Sequence, residues 1–143
     1  MAVKTERRVA KKGSVLIVDD EEIMREVLET LLSSAGYRVD LAKTGEEGLE
    51  FYGRRAYDVV LLDVHMPDGS GIDFLRNLRK QSGTARLPVL VLTAEGEDRI
   101  LREARRLGAA LVTKPFSPTK LSQRIAMMFG DIQPEEDAGG TAE

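Results

Sequence analysis

The chain has 143 residues, of which 42% are hydrophobic and 31% are charged, and its formal net charge is −3. This length fits one domain with a substantial core, and the composition is that of an ordinary soluble globular protein. The absence of cysteine excludes disulfides and thiolate metal sites. No apolar run approaches the roughly 20 residues that cross a membrane, and no secretion signal is recognisable, so we expect a cytoplasmic protein.

Opposite charges collect at the two ends of the chain. Residues 1–12 contain five basic side chains and one acid, whereas residues 130–143 contain five acids and no base. We therefore expect a basic N-terminal tail (1–12), a folded domain (13–130) and an acidic flexible tail (131–143). A basic arm can also contact nucleic acid or an acidic partner, but this one has no aromatic residue and no folded module, so no direct nucleic-acid contact is expected.

Five short β-rich runs are predicted to be strands. They are SVLIVD (14–19), YRVDLA (37–42), YDVVLLDV (57–64), LPVLVLT (87–93) and AALVTK (109–114). The runs VVLL and VLVL are apolar without alternation, which is typical of strands that are covered on both faces.

Helical periodicity fills the segments between the strands and follows the last one. The predicted helices are 21–35, 44–55, 72–81, 96–107 and a final helix that opens at Ser117-Pro118 and continues to Phe129. Thr44 and Glu47 have capping-box spacing, and Gly36 and Gly108 follow two helices as stop signals. In the first helix the apolar positions predicted to share one face are Ile23, Val27, Leu28, Leu31, Leu32 and Ala35.

Five β-α units in series predict an α/β fold with a doubly wound parallel sheet and five helices on both of its faces. In such folds a functional site lies outside the carboxyl ends of the strands. The candidate functional residues are therefore those at strand ends. Five of them have polar or charged side chains: Asp19, Asp20, Asp63, Thr93 and Lys114.

The carboxylates at these strand ends suggest a metal site. Asp19 and Asp20 follow the first strand, and Asp63 ends the third. Crowded carboxylates raise one another's pKa unless a cation intervenes, and an all-oxygen site suits Mg²⁺. Alternatively, Asp19 and Asp20 only cap the first helix; Asp63 at a second strand end favours the metal. Glu21 and Glu22 are expected to interact with the positive end of that helix.

Asp63 is also a candidate nucleophile towards phosphorus, because an aspartate can form an aspartyl phosphate. Lys114 would supply positive charge for phosphoryl oxygens, and the Thr93 hydroxyl would donate a hydrogen bond to one of them. Taken singly, each of these residues is an ordinary lysine or strand threonine. Their joint placement at successive strand ends favours the functional interpretation.

His65, the only histidine, follows Asp63 in a turn-forming segment that contains Pro67, Gly69 and Gly71. Its ring could be a metal ligand or a phosphoacceptor. We favour the backbone carbonyl of His65 as the functional atom, because a lone histidine in an acidic loop is more often a bystander.

With these residues in place, the chain resembles the response-regulator receiver domains of two-component signalling. The motifs that carry the resemblance are VLIVDDEE, VVLLDVHMPDGSGIDFL, PVLVLTA and LGAALVTKPF, and the match covers residues 14 to 129. The resemblance implies the flavodoxin-like receiver fold, with strand order 2-1-3-4-5.

The resemblance also implies a role for each acid. Asp63 matches the phosphoacceptor, and Asp20 matches the acid that binds Mg²⁺ directly. Asp19 matches the acid that acts through water, and the backbone carbonyl of His65 completes the protein ligands. Mn²⁺ is expected to substitute for Mg²⁺.

The remaining matches concern switching. Thr93 matches the switch hydroxyl and Lys114 the lysine that pairs with the phosphate, with a cis peptide bond expected between Lys114 and Pro115. Leu111 stands where many family members have an aromatic switch residue, so the usual coupling to the face of the fourth helix, fifth strand and fifth helix is in doubt.

The expected function is that of a phosphoacceptor that controls a partner protein and is not a conventional turnover enzyme. Phosphate would come from a histidine kinase or a histidine phosphotransferase, and the protein would be a monomer or a phosphorylation-dependent dimer. A stand-alone receiver is favoured over one excised from a longer regulator with a DNA-binding or enzymatic output. An aspartate-nucleophile phosphatase is a remote alternative, because such enzymes resemble D-x-D and His65 occupies the second position.

Overall fold

A computed structural model describes residues 13–64, 70–81, 83–94 and 98–129. Strands and helices alternate along the chain: β1 (Ser14–Val18), α1 (Glu22–Ser34), β2 (Arg38–Ala42), α2 (Gly45–Arg54), β3 (Val59–Asp63), α3 (Ser70–Lys80), β4 (Val89–Thr93), α4 (Asp98–Arg106), β5 (Ala110–Thr113) and α5 (Pro118–Phe129). The predictions for both tails and for His65 lie outside the described residues.

All five strands are parallel and lie in the order β2-β1-β3-β4-β5. This arrangement confirms the predicted fold class and strand order. None of the helices in the described part of the chain has the length and apolar character needed to cross a membrane.

The sheet separates two apolar cores, one on each face, because successive strand residues point to opposite sides. The core under α2, α3 and α4 includes Leu16, Val18, Val60, Leu62, Val91, Phe74, Leu75, Leu78 and Ala104. The core under α1 and α5 includes Val15, Ile17, Leu61, Leu90, Leu92, Leu28, Leu32, Leu121 and Ile125. Helices therefore cover both faces, as the continuous apolar strands predict.

The predicted helix boundary signals are present, except that the Glu47 carboxylate contacts Lys43 and not the capping residue Thr44. Thr44 Oγ1 accepts a hydrogen bond from the Glu47 N–H at 3.0 Å, which is half of a capping box. The Glu47 carboxylate accepts from the N–H of Lys43 at 2.7 Å, one residue before the capping threonine. Gly36 and Gly108 have φ angles of 104° and 82°, the left-handed conformation that ends a helix.

The apolar face predicted for α1 is wrong in part. Ile23 and Val27 are 76% and 46% exposed, whereas Arg25, Leu28 and Leu32 face the core. Each helical residue rotates by about 100°, so Val27 points well away from Leu28 even though both are apolar. Packing of Leu28 and Leu32 against the sheet sets the orientation of the helix and places an arginine on its buried side.

Candidate functional site

The pairing of β1 with β3 brings two of the predicted acids together. Val18 lies opposite Leu62 in the parallel ladder, so the next residues, Asp19 and Asp63, follow side by side at the carboxyl edge of the sheet. Both acids are only 1% exposed. Their burial follows from their position at the ends of strands whose other residues are in the core.

A second pairing brings the other two strand-end residues to the same edge. Thr93 lies opposite Thr113 at the end of the β4–β5 ladder. The backbone N–H of Lys114, the next residue, donates to the carbonyl oxygen of Thr93 at 2.7 Å. The peptide bond from Lys114 to Pro115 is cis, as predicted.

Three carboxylates converge at this edge. One carboxylate oxygen from each of Asp19, Asp20 and Asp63 lies within 4.8 Å of the others. Asp20 is exposed, whereas the other two are buried. The result is an acidic cluster that opens to solvent on the side of Asp20.

Lys114 is the cation that faces this cluster. Its ammonium donates to Asp63 Oδ2 at 2.9 Å, and its side chain remains 22% exposed while that of Asp63 is buried. Among the described residues, one ammonium thus sits against three carboxylates, so negative charge is in excess at this edge of the sheet.

Asp19 is fixed by the protein at three of its polar groups. Its N–H donates to the carbonyl oxygen of Ala42 at 3.0 Å, and its carbonyl oxygen accepts from Arg25 Nη1 at 2.8 Å. Its Oδ1 accepts from the backbone N–H of Glu21 at 2.9 Å. The fourth group, the buried Oδ2, has no hydrogen-bond partner among the described residues.

This environment raises the pKa of Asp19 to about 7. Burial is the main cause, and the neighbouring charge of Asp63 adds to it; a protonated Asp19 could also share its proton with Asp63. The hydrogen bond from Glu21 and the charge of Lys114 act in the opposite direction. Near neutral pH, Asp19 is therefore only partly ionised, and a bound cation would favour its ionised form.

The described residues fit Mg²⁺. The orphaned Oδ2 of Asp19 needs a partner, and the three converging carboxylates of Asp19, Asp20 and Asp63 form the hard all-oxygen donor set that Mg²⁺ prefers. The carbonyl of His65, predicted to be a further ligand, lies outside the described residues. The alternative in which Asp19 only caps the first helix is not observed, because Glu21 is the N-cap of α1 and no side-chain cap hydrogen bond is formed there. Oδ1 of Asp19 instead accepts from the N–H of Glu21 itself, which leaves Oδ2 directed at the cluster.

The predicted switch residues are Thr93 and Leu111. Thr93 ends β4, the strand next to the one that carries Asp63, and Leu111 lies on β5 opposite Val91, two residues before the end of the ladder. Thr93 is fully buried, and its hydroxyl donates to the carbonyl oxygen of Ala94 over 3.4 Å, a long hydrogen bond that costs little to exchange. Leu111 is half-buried and packs on the core under α4. Leu111 also lines a groove of about 680 Å³ between β5 and α5.

Arg25 contacts the site although sequence reasoning did not single it out. It is 9% exposed and lies on the buried side of α1 with Leu28 and Leu32, at i, i+3 and i+7. Arginine is rarely buried unless it is paired. A charged residue at a core-facing position just after the acid pair is the signal that could have identified it.

Comparison with known proteins identifies the family. Residues 15–126 match the response regulator receiver domain family. The chain is 45% identical over 117 residues to "Probable transcriptional regulator ycf27" of Guillardia theta, covering 80% of this chain and 44% of that protein. It is 32% identical over 127 residues to "Probable chemotaxis protein CheY" of Rhizobium etli, covering 87% of this chain and 98% of that protein. The chain thus spans about half the length of its ycf27 relatives.

Solved structures agree with this assignment. The chemotaxis protein CheY4 of Vibrio cholerae superposes with a TM-score of 0.75 at 33% identity, covering 81% of this chain and 98% of that one. The receiver domain of Francisella response regulator 1452 superposes with a TM-score of 0.74 at 30% identity, covering 85% and 99%. The matched family, these relatives and the clustered strand-end residues lead to one assignment: the chain belongs to the response regulator receiver domains of two-component signalling.

Proposed function

We propose that Asp63 accepts a phosphoryl group from a phosphohistidine and that the resulting aspartyl phosphate switches the protein to control a partner. The observation that carries this proposal is the position of Asp63. Its buried carboxylate accepts from the ammonium of Lys114 at 2.9 Å, and one of its oxygens lies within 4.8 Å of carboxylate oxygens of Asp19 and Asp20. Such a carboxylate is oriented and desolvated, as a nucleophile requires.

A carboxylate oxygen of Asp63 forms a bond to phosphorus while the phosphorus–nitrogen bond of the donor breaks, and the departing imidazole takes up a proton. Lys114 stays close to Asp63 and neutralises charge on the phosphoryl oxygens. Hydrolysis by water later restores the carboxylate, so the protein acts as a regulator and not as a turnover enzyme.

We assign Mg²⁺ to the acidic cluster, with Mn²⁺ as a substitute. Asp20 and Asp63 would be direct ligands together with the carbonyl of His65, and Asp19 would act through water. Bound there, the ion would neutralise the negative charge that builds up on the phosphoryl group during transfer. The support for Asp19 is its buried Oδ2, which has no protein partner in the described structure.

The switch is proposed to run through Thr93. The weak hydrogen bond to Ala94 leaves the Thr93 hydroxyl available for a phosphoryl oxygen, which is a much better acceptor. Movement of Thr93 would alter the packing of Leu111, which lies on the neighbouring strand and lines the β5–α5 groove. Leucine changes its packing without the rotation of an aromatic ring, so the structural change at this groove is proposed to be small.

A histidine kinase or a histidine phosphotransferase is the proposed donor. Support for a protein donor comes from Ile23 and Val27, two large apolar side chains exposed on α1, the helix that follows the acid pair. Exposed apolar side chains next to a reactive site favour a docked protein. No direct contact with nucleic acid or membrane is proposed, and the protein is proposed to be a cytoplasmic monomer or a phosphorylation-dependent dimer.

Stand-alone action is the proposal, with output through protein contact. It is supported by the match to the chemotaxis protein CheY of Rhizobium etli, of which 98% is covered. The alternative is the receiver part of a longer regulator, which the match to 44% of ycf27 favours. The complete reading frame distinguishes the two.

The test of the phosphoacceptor is incubation with acetyl phosphate and Mg²⁺, followed by intact mass. We expect one added phosphoryl group, and none in Asp63→Ala or when Mg²⁺ is chelated. Asp58→Ala, on a loop acid that accepts from the Ser14 N–H, is the matched control and should be labelled normally. Labelling that persists in Asp63→Ala would contradict the assignment, and rapid turnover of small phosphate esters would favour a phosphatase.

A further inference from the structure

We propose that Arg25 is a positioning residue that holds Asp19 in place for Mg²⁺, an inference that rests on the proposed function. Its guanidinium Nη1 donates a buried hydrogen bond to the backbone carbonyl oxygen of Asp19 at 2.8 Å. Arg25 touches neither the phosphoacceptor nor a carboxylate oxygen in this contact. Its effect reaches the metal site through the backbone of Asp19.

The burial of Arg25 indicates a specific role. It occupies the core-facing side of α1 with Leu28 and Leu32, where an aliphatic residue would pack without loss of hydration. Burying a guanidinium is costly unless hydrogen bonds replace its water. Its backbone N–H serves the helix itself by donating to the carbonyl of Glu21 at 3.0 Å, so the side chain is the part that reaches back to β1.

The geometry of Asp19 explains what this hydrogen bond provides. Of the three anchored groups of Asp19, two are held by backbone atoms, of Ala42 and Glu21, and the third is held by the Arg25 side chain. Together they fix both the peptide units and the carboxylate orientation, and they direct Oδ2 into the cluster without a protein partner. Loss of the Arg25 contact orphans a buried carbonyl and lets the β1–α1 turn rotate, which moves Oδ2.

The test compares Mg²⁺ affinity by calorimetry in Arg25→Met, Arg25→Lys and the unsubstituted protein, at a temperature at which all are folded. Outer-shell partners of metal ligands typically change affinity by 10- to 100-fold, and we expect Arg25→Met to weaken Mg²⁺ binding about tenfold. Arg25→Lys should return the affinity to within about threefold of the original, since only one hydrogen bond to the carbonyl has to be remade. A lysine ammonium cannot bind a metal ion. Recovered affinity in Arg25→Lys would therefore show that residue 25 positions Asp19 and does not bind Mg²⁺ itself.

Leu32→Val is the matched control, because Leu32 is a fully buried residue of the same helix that lies away from the Asp19 carbonyl. It should lower stability and leave the Mg²⁺ affinity unchanged. Equal affinities in Arg25→Met and the unsubstituted protein would overturn the proposal, as would an equal loss in Leu32→Val. If Arg25→Met does not fold, Arg25→Gln takes its place and should bind more weakly than Arg25→Lys; equal affinity in these two would overturn the proposal.

A metal-free measurement separates this proposal from the proposed function. Hydrogen exchange of the N–H groups of Asp19 and Glu21 reports the anchoring directly, since these groups bond to Ala42 O and Asp19 Oδ1. We expect faster exchange at both in Arg25→Met and not in Leu32→Val. If the unsubstituted protein fails to bind Mg²⁺, the proposed function is wrong. If hydrogen exchange at Asp19 and Glu21 is unchanged in Arg25→Met, the positioning role of Arg25 is wrong.

Discussion

The ammonium of Lys114 lies 2.9 Å from Oδ2 of Asp63, and this contact joins side chains that are 51 residues apart in the sequence. The lysine comes from the end of β5 and the aspartate from the end of β3, and β4 runs between them. Only the register of the parallel sheet brings these two ends together. The contact is therefore a product of topology, and the chemistry proposed for Asp63 depends on it.

The first prediction concerns the charge of Lys114. Lys114→Met should slow the phosphorylation of Asp63 by acetyl phosphate by about 100-fold, the usual cost of removing one donor that stabilises transition-state charge. The rate is measured by intact mass against time at saturating Mg²⁺.

Lys120→Met, on the exposed first turn of α5, is the matched control and should leave the rate unchanged. An unaltered rate in Lys114→Met would show that the ion pair with Asp63 serves stability alone.

The second prediction concerns the close approach of α3 to β3. A Cβ on Gly71 would lie 2.7 Å from Val64 Cα and 2.8 Å from the carbonyl oxygen of Asp63, both of them backbone atoms. Gly71→Ala should lower the free energy of unfolding by about 1–3 kcal/mol, as over-packing does. Because the displaced backbone carries Asp63, phosphorylation should also slow.

Gly53→Ala is the control within the same protein. A Cβ on this glycine, in the last turn of α2, meets no atom within 4 Å. Alanine is favoured over glycine in a helix, so Gly53→Ala should stabilise the protein by about 0.5–1 kcal/mol. Denaturant unfolding of both variants checks the pair, and equal effects would contradict the steric explanation.

The third prediction separates phosphorylation from switching. Thr93→Val removes the hydroxyl and keeps the shape of a fully buried side chain. Since the hydrogen bond from that hydroxyl to Ala94 is long, stability should change little. The variant should still be phosphorylated on Asp63, but phosphorylation should no longer alter hydrogen exchange in β5 and α5, which line the groove beside Leu111.

Thr113→Val serves as its control, because Thr113 is the exposed partner of Thr93 at the end of the β4–β5 ladder. It should retain the phosphorylation-dependent change. A Thr93→Val protein that responds normally would remove Thr93 from the proposed switch.

The strand-end residues were predictable because their positions depend on local pattern and one topological rule. Apolar runs locate the strands, and a parallel sheet places all of their carboxyl ends at one edge. Asp19, Asp63, Thr93 and Lys114 follow from that argument. The structure brings them together as predicted, and their roles in phosphoryl transfer await the experiments above.

The role of α1 was harder to predict for a physical reason. Ile23 and Val27 are as apolar as Leu28, so composition alone does not reveal which side of the helix faces the sheet. Long-range packing decides the orientation, and it exposes Ile23 while it buries Arg25. The contact between Arg25 and Asp19 follows from that orientation.

The last prediction follows from the raised pKa of Asp19, which is about 7 in the metal-free fold. An unfolded chain has an ordinary aspartate, so between about pH 4 and pH 7 the folded protein binds more protons than the unfolded one. The contribution of Asp19 to the stability of the metal-free protein therefore falls as pH rises through this window, and the penalty is complete above about pH 7. Asp19→Asn removes the charge and keeps an oxygen that can accept from Glu21.

Asp19→Asn should therefore stabilise the metal-free protein by roughly 1–3 kcal/mol at pH 7.5, a range that allows for solvent screening at the open side of the cluster. The gain should shrink towards zero below about pH 3, where Asp19 is protonated in both the folded and the unfolded state. Urea unfolding at several pH values, with chelator present, measures it. Saturating Mg²⁺ should reverse the order, because the ion stabilises the ionised Asp19 and the asparagine variant loses that charge. A gain that does not vary with pH would instead arise from packing and would contradict a buried, unneutralised carboxylate at this edge of the sheet.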